Sequence, residues 1–256
     1  MSTCIYDIYC NDCLTEMENL INQNIKVDMI LTDLPYGVTS CKWGAVIPFN
    51  EMWDKINNLV SSINVPIVLF SNQPFTTELI HSNIKNFKYC WTWDKHIPSG
   101  MSYAKYRPMQ QTEDICIFTK KGDKTNYHPQ MIKRPTPIQS GGMKNSNTAY
   151  TTNYIQLNKT YSYKNPTTLL HFNKIRQGSL HPTQKPVPLL KYLIKTYTNE
   201  HDTVLDFTMR SGSTGVACIY TNRNFIGIEK EKKYYQITKQ RLNNAYKQTH
   251  PRYTTK

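Results

Sequence analysis

The segment Val27-Asp-Met-Ile-Leu-Thr-Asp33 is a short apolar run that ends in an acid, with Leu34, Pro35, Tyr36 and Gly37 directly after it. That order sets a carboxylate, a rigid turn and an aromatic ring at the tip of one buried strand. A second constellation lies far along the chain. Residues 202–220 read as a strand, a Gly/Ser turn and a helix, and residues 224–230 as another strand ending in an acid. Glu229 follows Asp206 by 23 residues, near the spacing expected of an acid that binds ribose hydroxyls. The turn holds only Gly212 and Gly215 of a G-x-G-x-x-G phosphate fingerprint, and no lysine opens the helix. A nucleoside without phosphates fits better than a dinucleotide, and S-adenosylmethionine is such a ligand: adenine, ribose and a charged amino-acid tail.

The elements that must position these residues follow from apolar pattern. Residues 4–10 alternate as a strand does, and Asn11-Asp12 can cap the helix after it. The runs 27–33 and 65–71, with a helix-like stretch between them, read as a βαβ unit with strands covered on both faces. Segments 87–94 and 113–120 are two more strands. Between Gly122 and Gly178 the chain turns rich in Lys, Asn, Thr, Tyr and Pro, and reads as a long irregular insertion. Tyr127, Tyr150, Tyr154, Tyr161 and Tyr163 interleave there with basic residues, a composition suited to lying against sugar-phosphate and bases. Residues 181–197 enter an amphipathic helix through prolines, and 233–246 form a closing helix. The expected organisation is therefore a catalytic half at 1–121, the insertion at 122–178, and a cofactor half of the same domain at 179–256.

Among 256 residues, 31 Lys and Arg against 18 Asp and Glu leave a formal charge of +13, which favours a polyanion such as nucleic acid. Seven cysteines are scattered without a framework, and Cys10 and Cys13 form a lone C-x-x-C with no nearby His, so they read as two half-buried thiols and no metal is expected. Asp7, Asn11 and Asp12 break any early apolar run, so no signal peptide is expected, and no stretch approaches a membrane span. The expected setting is reducing and soluble, the cytoplasm or the DNA-containing compartment of the host.

Together the motifs resemble a known family. Asp33-Leu-Pro-Tyr-Gly37 is similar to the D-P-P-Y motif of amino-group DNA methyltransferases. His181-Pro-Thr-Gln-Lys-Pro186, the segment 204–218 and the segment 222–235 resemble the cofactor motifs of the same enzymes. Catalytic motif first, insertion next and cofactor motifs last is the circularly permuted order of their β group. The resemblance implies a Rossmann-like α/β sheet with a target-recognition insertion, S-adenosylmethionine as methyl donor, and double-stranded DNA as partner, with pairing into a homodimer or heterodimer common in such proteins. It covers nearly the whole chain except 122–178.

The chemistry then explains the strand tip. An exocyclic amine on a base is a poor nucleophile because its lone pair is delocalised into the ring. The Asp33 carboxylate and the main-chain carbonyl of Leu34 can accept its two N–H bonds, free the lone pair, and stabilise the charge that develops on nitrogen. Pro35 stiffens the turn and Tyr36 offers a stacking face. The base has to leave the duplex to reach them. By resemblance, Asp at the head of the motif points to adenine N6, with cytosine N4 as the alternative, and Leu34 replaces the usual proline at a position that acts through its carbonyl. The resemblance further implies that Thr183 and Lys185 hold the cofactor carboxylate, Glu229 the ribose and Asp12 the adenine amino group. Asp206 and Gly212 would shape the turn under the methionine tail. His181, Phe207, Thr208, Ser211, Lys230 and Asp33 itself complete the cofactor set. Lys42, Arg107, Lys133 and Arg134 are the basic side chains assigned to DNA.

One position departs from the pattern. The family's turn carries glycine where this chain has Arg210, in Thr-Met-Arg-Ser-Gly. Glycine there leaves room for the ligand and permits dihedrals that cost other residues about 1–3 kcal/mol. The arginine can intrude on a pocket built for a cationic sulfonium, swing into solvent, or pair with the cofactor carboxylate. A catalytically impaired DNA-binding homologue, or the inactive subunit of a pair, is the alternative function this opens.

Overall fold

The computed structural model describes residues 4–37, 46–120, 124–139, 159–175 and 178–250, so Lys42 and the Ser-Gly-Gly stretch at 140–142 lie outside the described residues. The chain divides into two compact units, one of 1–128 with 168–256, the other Pro129–Thr167.

The first unit alternates strand and helix: β1 (Tyr6–Tyr9), α1 (Cys13–Asn22), β2 (Met29–Asp33), α2 (Phe49–Leu59), β3 (Ile67–Ser71), α3 (Phe75–Ser82), β4 (Phe87–Ser99) and β5 (Gln110–Phe118). The second unit contributes β6 (Ile132–Gln139) and β7 (Thr160–Lys164). The first unit then resumes with β8 (Leu169–His171), α4 (Val187–Tyr197), β9 (Thr203–Asp206), α5 (Ser213–Ile219), β10 (Asn224–Ile228) and α6 (Lys232–Thr249).

Its sheet has the order β1-β10-β9-β2-β3-β5-β4-β8, and β5 alone runs against the other strands. All five residues of β2 and of β3 are buried, as continuous apolar runs covered on both faces should be. Alternate side chains divide them between two cores. Met29, Leu31, Val68 and Phe70 pack with α4, α5 and α6 on one face. Ile30, Ile67 and Leu69 pack with α1, α2 and α3 on the other. Both halves of the sequence thus build one sheet, with β9 of the C-terminal half hydrogen-bonded beside β2 of the N-terminal half.

Two local devices bring residues to the strand tips. Asp12 caps α1, its carboxylate accepting from the Leu14 and Thr15 amides at 3.0 and 3.4 Å. Pro186 precedes α4 with extended backbone, and Pro188 stands in its first turn where no amide hydrogen is needed.

The region expected to be irregular is more ordered than its composition suggests. β6 and β7 pair antiparallel, with Lys133 opposite Tyr163 and a register break between Lys133 and Ile138 that takes up Pro135 and Pro137. β8 joins the edge of the main sheet beside β4. Almost every residue of β6 and β7 is exposed, so no apolar alternation marked them as strands. The thiols of Cys10 and Cys13 are free, and Cys10 is exposed rather than half-buried. Among the described residues no helix is long and apolar enough to cross a membrane.

Candidate active site

The tips of β2 and β9 lie side by side. At the first, Tyr36 donates its hydroxyl to Asp33 Oδ1 at 2.7 Å, and its ring leans on Phe75 with centroids 5.3 Å apart. Lys185 Nζ stands 2.9 Å from Asp33 Oδ2, and Arg210 Nη1 stands 2.6 Å from the same oxygen. Arg210 Nη2 donates to the carbonyl oxygens of Asp33 (3.0 Å) and Leu34 (3.2 Å). Burial by itself would raise the Asp33 carboxyl, but Arg210, Lys185 and the Tyr36 hydroxyl outweigh it and hold the group at about 2.

Arg210 therefore does not swing into solvent: it pairs with Asp33. Its backbone takes φ +50°, the left-handed region that glycine adopts without strain. Thr238 pins the turn by donating to the Arg210 carbonyl at 2.9 Å. Gly212 follows at φ +73°, where an added Cβ would collide with the same Thr238.

Lys185, expected at the cofactor carboxylate, is paired with carboxylates of the chain itself. Its ammonium reaches Glu113 Oε2 at 3.1 Å as well as Asp33, and lies 5.0 Å from the Phe70 ring centroid. Lys95 holds the other Glu113 oxygen at 3.2 Å. Neither Lys95 nor Glu113 was singled out from sequence. They lie in β4 and β5, across β3 from the strand that ends in Asp33, and no pattern in the sequence marks them.

At the β9 tip, Asp206 is surrounded by uncharged donors. Thr32 and Thr214 donate their hydroxyls at 2.7 and 2.6 Å, and the Thr208 amide donates at 3.2 Å. Burial wins over these bonds and pushes the carboxyl up to about 6. Thr208 Oγ1 in turn donates to the Asp33 carbonyl at 3.0 Å, tying the two tips together.

In front of the tips opens a cavity of about 600 Å³. Asp33, Leu34, Pro35 and Tyr36 form one wall, and His181, Thr183 and Lys185 form another. Phe207, Thr208, Arg210, Asp12, Glu229 and Lys230 also line it, and the Arg210 backbone meets the Glu229 carboxylate. Asp206 and Ser211 face a smaller cleft behind Arg210. Ser211 is buried against α6, where Arg241 donates to it, and Gly212 packs on Thr238. Glu229 Oε1 accepts the Glu231 amide at 2.8 Å, and burial raises its carboxyl. Lys230 Nζ lies 3.4 Å from Asp12 at the exposed rim. The His181 ring packs edge-on against Tyr234, and burial with the nearby Arg210 lowers it to about 4, so it is neutral at pH 7. Arg107 is exposed with its guanidinium 5.0 Å from the Tyr103 ring centroid. Lys133 and Arg134 belong to the small unit, where Lys133 is exposed and Arg134 donates to the Tyr163 carbonyl.

A largely parallel sheet with one reversed strand, carrying a D-L-P-Y turn and buried acids at the tips of its central strands, defines a Rossmann-like methyltransferase fold. Residues 27–240 match the N6_N4_Mtase family, DNA methylase, and the chain belongs to it. The Type II methyltransferase M2.DpnII of Streptococcus pneumoniae is 48% identical over 241 residues, 84% of this chain and 82% of that protein. M.HpaI of Haemophilus parainfluenzae is 25% identical over 252 residues, 93% of this chain and 74% of that protein. Among solved structures, the M1.HpyAVI–SAM complex has a TM-score of 0.62 at 28% identity, covering 93% of this chain and 100% of that one. The cytosine-N4-specific PvuII DNA methyltransferase shares the fold, with a TM-score of 0.62 at 14% identity over 97% of this chain and 93% of its own.

Proposed function

We propose that this protein transfers a methyl group from S-adenosylmethionine to adenine N6 in double-stranded DNA after extruding the base. The observation that carries the reading is the set of acceptors at the β2 tip. The Asp33 carboxylate and the Leu34 carbonyl already hold N–H donors of a planar group, the Arg210 guanidinium. An exocyclic amine presents the same donors on the same kind of flat frame. Asp33, ionised at any physiological pH, accepts one N–H and stabilises the positive charge growing on nitrogen. The Leu34 carbonyl accepts the other, and the Tyr36 hydroxyl fixes the carboxylate's orientation.

The donor has matching residues at its nucleoside end. Glu229 and Asp12, at adjoining strand ends, suit ribose hydroxyls and an adenine amine, and buried Phe207 and Ile228 supply the apolar floor. When bound, the cofactor supplies an electrophilic methyl. M1.HpyAVI, solved with SAM, supports this choice of donor. The base assignment rests on Asp33 heading the motif, since the fold is shared with a cytosine-N4 enzyme. Lys133, Arg134 and Arg107 are proposed DNA contacts, the first two within an insertion unit that reads the target.

The test is direct. Unmethylated duplex DNA incubated with the protein and methyl-labelled adenosylmethionine is digested to nucleosides and chromatographed. N6-methyldeoxyadenosine is the expected product, and label in N4-methyldeoxycytidine would refute the base. A second reading, a DNA-binding homologue that transfers nothing, is favoured by one observation: Arg210 fills the clamp.

A further inference from the structure

The Arg210 side chain is aimed and held, and it is built from both halves of the chain. Its backbone sits in the left-handed region at φ +50°, fixed by Thr238 at the carbonyl, and this directs the guanidinium across to β2. There it meets three acceptors of the β2 tip. Nη1 takes Asp33 Oδ2 at 2.6 Å, and Nη2 takes the Asp33 and Leu34 carbonyls at 3.0 and 3.2 Å. A base amine entering this seat finds both of its acceptors already satisfied.

The charge around the seat leads to the same result. Three cations, Lys95, Lys185 and Arg210, face two carboxylates, Asp33 and Glu113. Two further buried acids lie close by: Glu229, which meets the Arg210 backbone, and Asp206, held by hydroxyls. Where the family's turn has an uncharged glycine, Arg210 sets a positive charge in the cavity wall, and an incoming sulfonium adds another in a region partly shielded from water. Its neutral thioether counterpart adds none. Electrostatic repulsion between like charges a few ångströms apart falls on the first ligand and not the second.

We propose that Arg210 is a resident occupant of the amine seat, which makes the chain favour the neutral thioether form of its cofactor over the cationic sulfonium form and keeps the acceptors closed to a base until the guanidinium is displaced. The inference rests on the proposed methyl-transfer site and assigns a role that glycine at this position would not have.

Calorimetric titration of the full chain with adenosylmethionine and with adenosylhomocysteine reads the preference without any turnover. The wild-type protein is expected to bind adenosylhomocysteine at least tenfold more tightly. Arg210→Gly removes both the charge and the backbone strain, and should shift the ratio of the two dissociation constants at least tenfold towards adenosylmethionine. Arg210→Asn is a second neutral variant, since asparagine tolerates the left-handed region, and should shift it the same way. Arg210→Lys keeps the charge and should keep most of the preference. A ratio unchanged within threefold across wild type, Arg210→Gly and Arg210→Asn overturns the proposal, as does failure of the two neutral variants, folded by circular dichroism, to bind either ligand. The methyl-transfer reading is judged separately. Methylated adenine formed with an unchanged ratio removes only the role of Arg210, whereas a shifted ratio with no methylated base from any variant supports that role and removes the reaction.

Discussion

Asp33 and Asp206 close two hydrogen-bonded parallel strands, both are buried, and both are followed by a turn, yet the protein treats them in opposite ways. Asp33 is met by two cations and a phenol, and burial loses to them, so its carboxyl is held near 2. Asp206 is met by two hydroxyls and an amide, and burial wins, so its carboxyl rises to about 6. Hydrogen bonds from neutral donors only partly replace the water that a carboxylate gives up on burial, while a full opposite charge at under 3 Å more than replaces it. The contrast divides labour between the tips. One tip keeps a negative charge down to strongly acid pH, and the other keeps its charge only above about pH 6.

The largest effect should come from removing the charge at the first tip. Asp33→Asn keeps the shape but loses the anion, and transfer in single turnover should fall by about 10²–10³-fold, the cost typical of deleting one preorganised electrostatic partner. DNA affinity by fluorescence anisotropy should stay within threefold. A variant that retains more than a tenth of the rate would mean the two aspartates are both structural, and the comparison would fail.

Next is the cation that Asp33 shares with Glu113. Lys185→Met strips one counter-ion from a buried cluster and should cost about 3 kcal/mol in urea denaturation at pH 7, the low end for a broken buried pair because Arg210 and Lys95 remain. The pH direction follows from Asp33, whose carboxyl sits near 2 in the fold against an ordinary 3.8. Its contribution is fully present above 3.8 and is lost as pH falls through 2, so the gap between wild type and variant should narrow only below about pH 4.

Thr214→Val probes the second tip and should titrate elsewhere. Losing a hydroxyl from an ionised buried carboxylate should cost about 1.5–3 kcal/mol at pH 8. The Asp206 carboxyl sits at about 6 in the fold, above its ordinary 3.8, so the favourable contribution of its proton is complete below 3.8 and lost as pH rises through 6. At pH 5 the folded protein already carries that proton, and the cost of Thr214→Val should fall by half or more. Two variants that lose stability in separate pH windows would sharpen the comparison, and a shared window would break it.

How far this was legible in the sequence depended on whether a feature is local. The buried runs of β2 and β3, the Asp12 cap and the Pro-led α4 are written in consecutive residues, and the structure has them where the pattern put them. The D-L-P-Y turn and the spacing from Asp206 to Glu229 marked the strand tips for the same reason. Arg210 stood out only as a side chain where the family has none; its destination, 177 residues away on another strand, depends on a backbone dihedral and on which acceptors face it. Lys95 and Glu113 were silent because single charges within strands are common, and they gain meaning only when β4 and β5 carry them to Lys185. The β6–β7 pairing left no trace because its side chains face water on both sides and prolines interrupt it.

The smallest expected effect tests whether the two tips are electrically separate despite touching. The Thr32 and Thr208 hydroxyls lie 2.6 Å apart, Thr32 Oγ1 lies 2.7 Å from Asp206 Oδ1 and Thr208 Oγ1 lies 3.0 Å from the Asp33 carbonyl, so two hydroxyl hydrogens are shared among three contacts. This file of hydroxyls links one aspartate to the backbone of the other without any charge between them. Thr208→Val removes its middle while keeping the side chain's shape and the Thr208 amide bond to Asp206. If the link is only mechanical, stability should fall by about 1 kcal/mol, the worth of a neutral hydrogen bond, and by the same amount at pH 5 and pH 8. If the loss at pH 8 instead exceeds that at pH 5 by more than twofold, the ionisation of Asp206 is felt through Thr208 at the Asp33 turn. The two aspartates would then titrate as one coupled unit, and their contrast would belong to the pair rather than to separate surroundings.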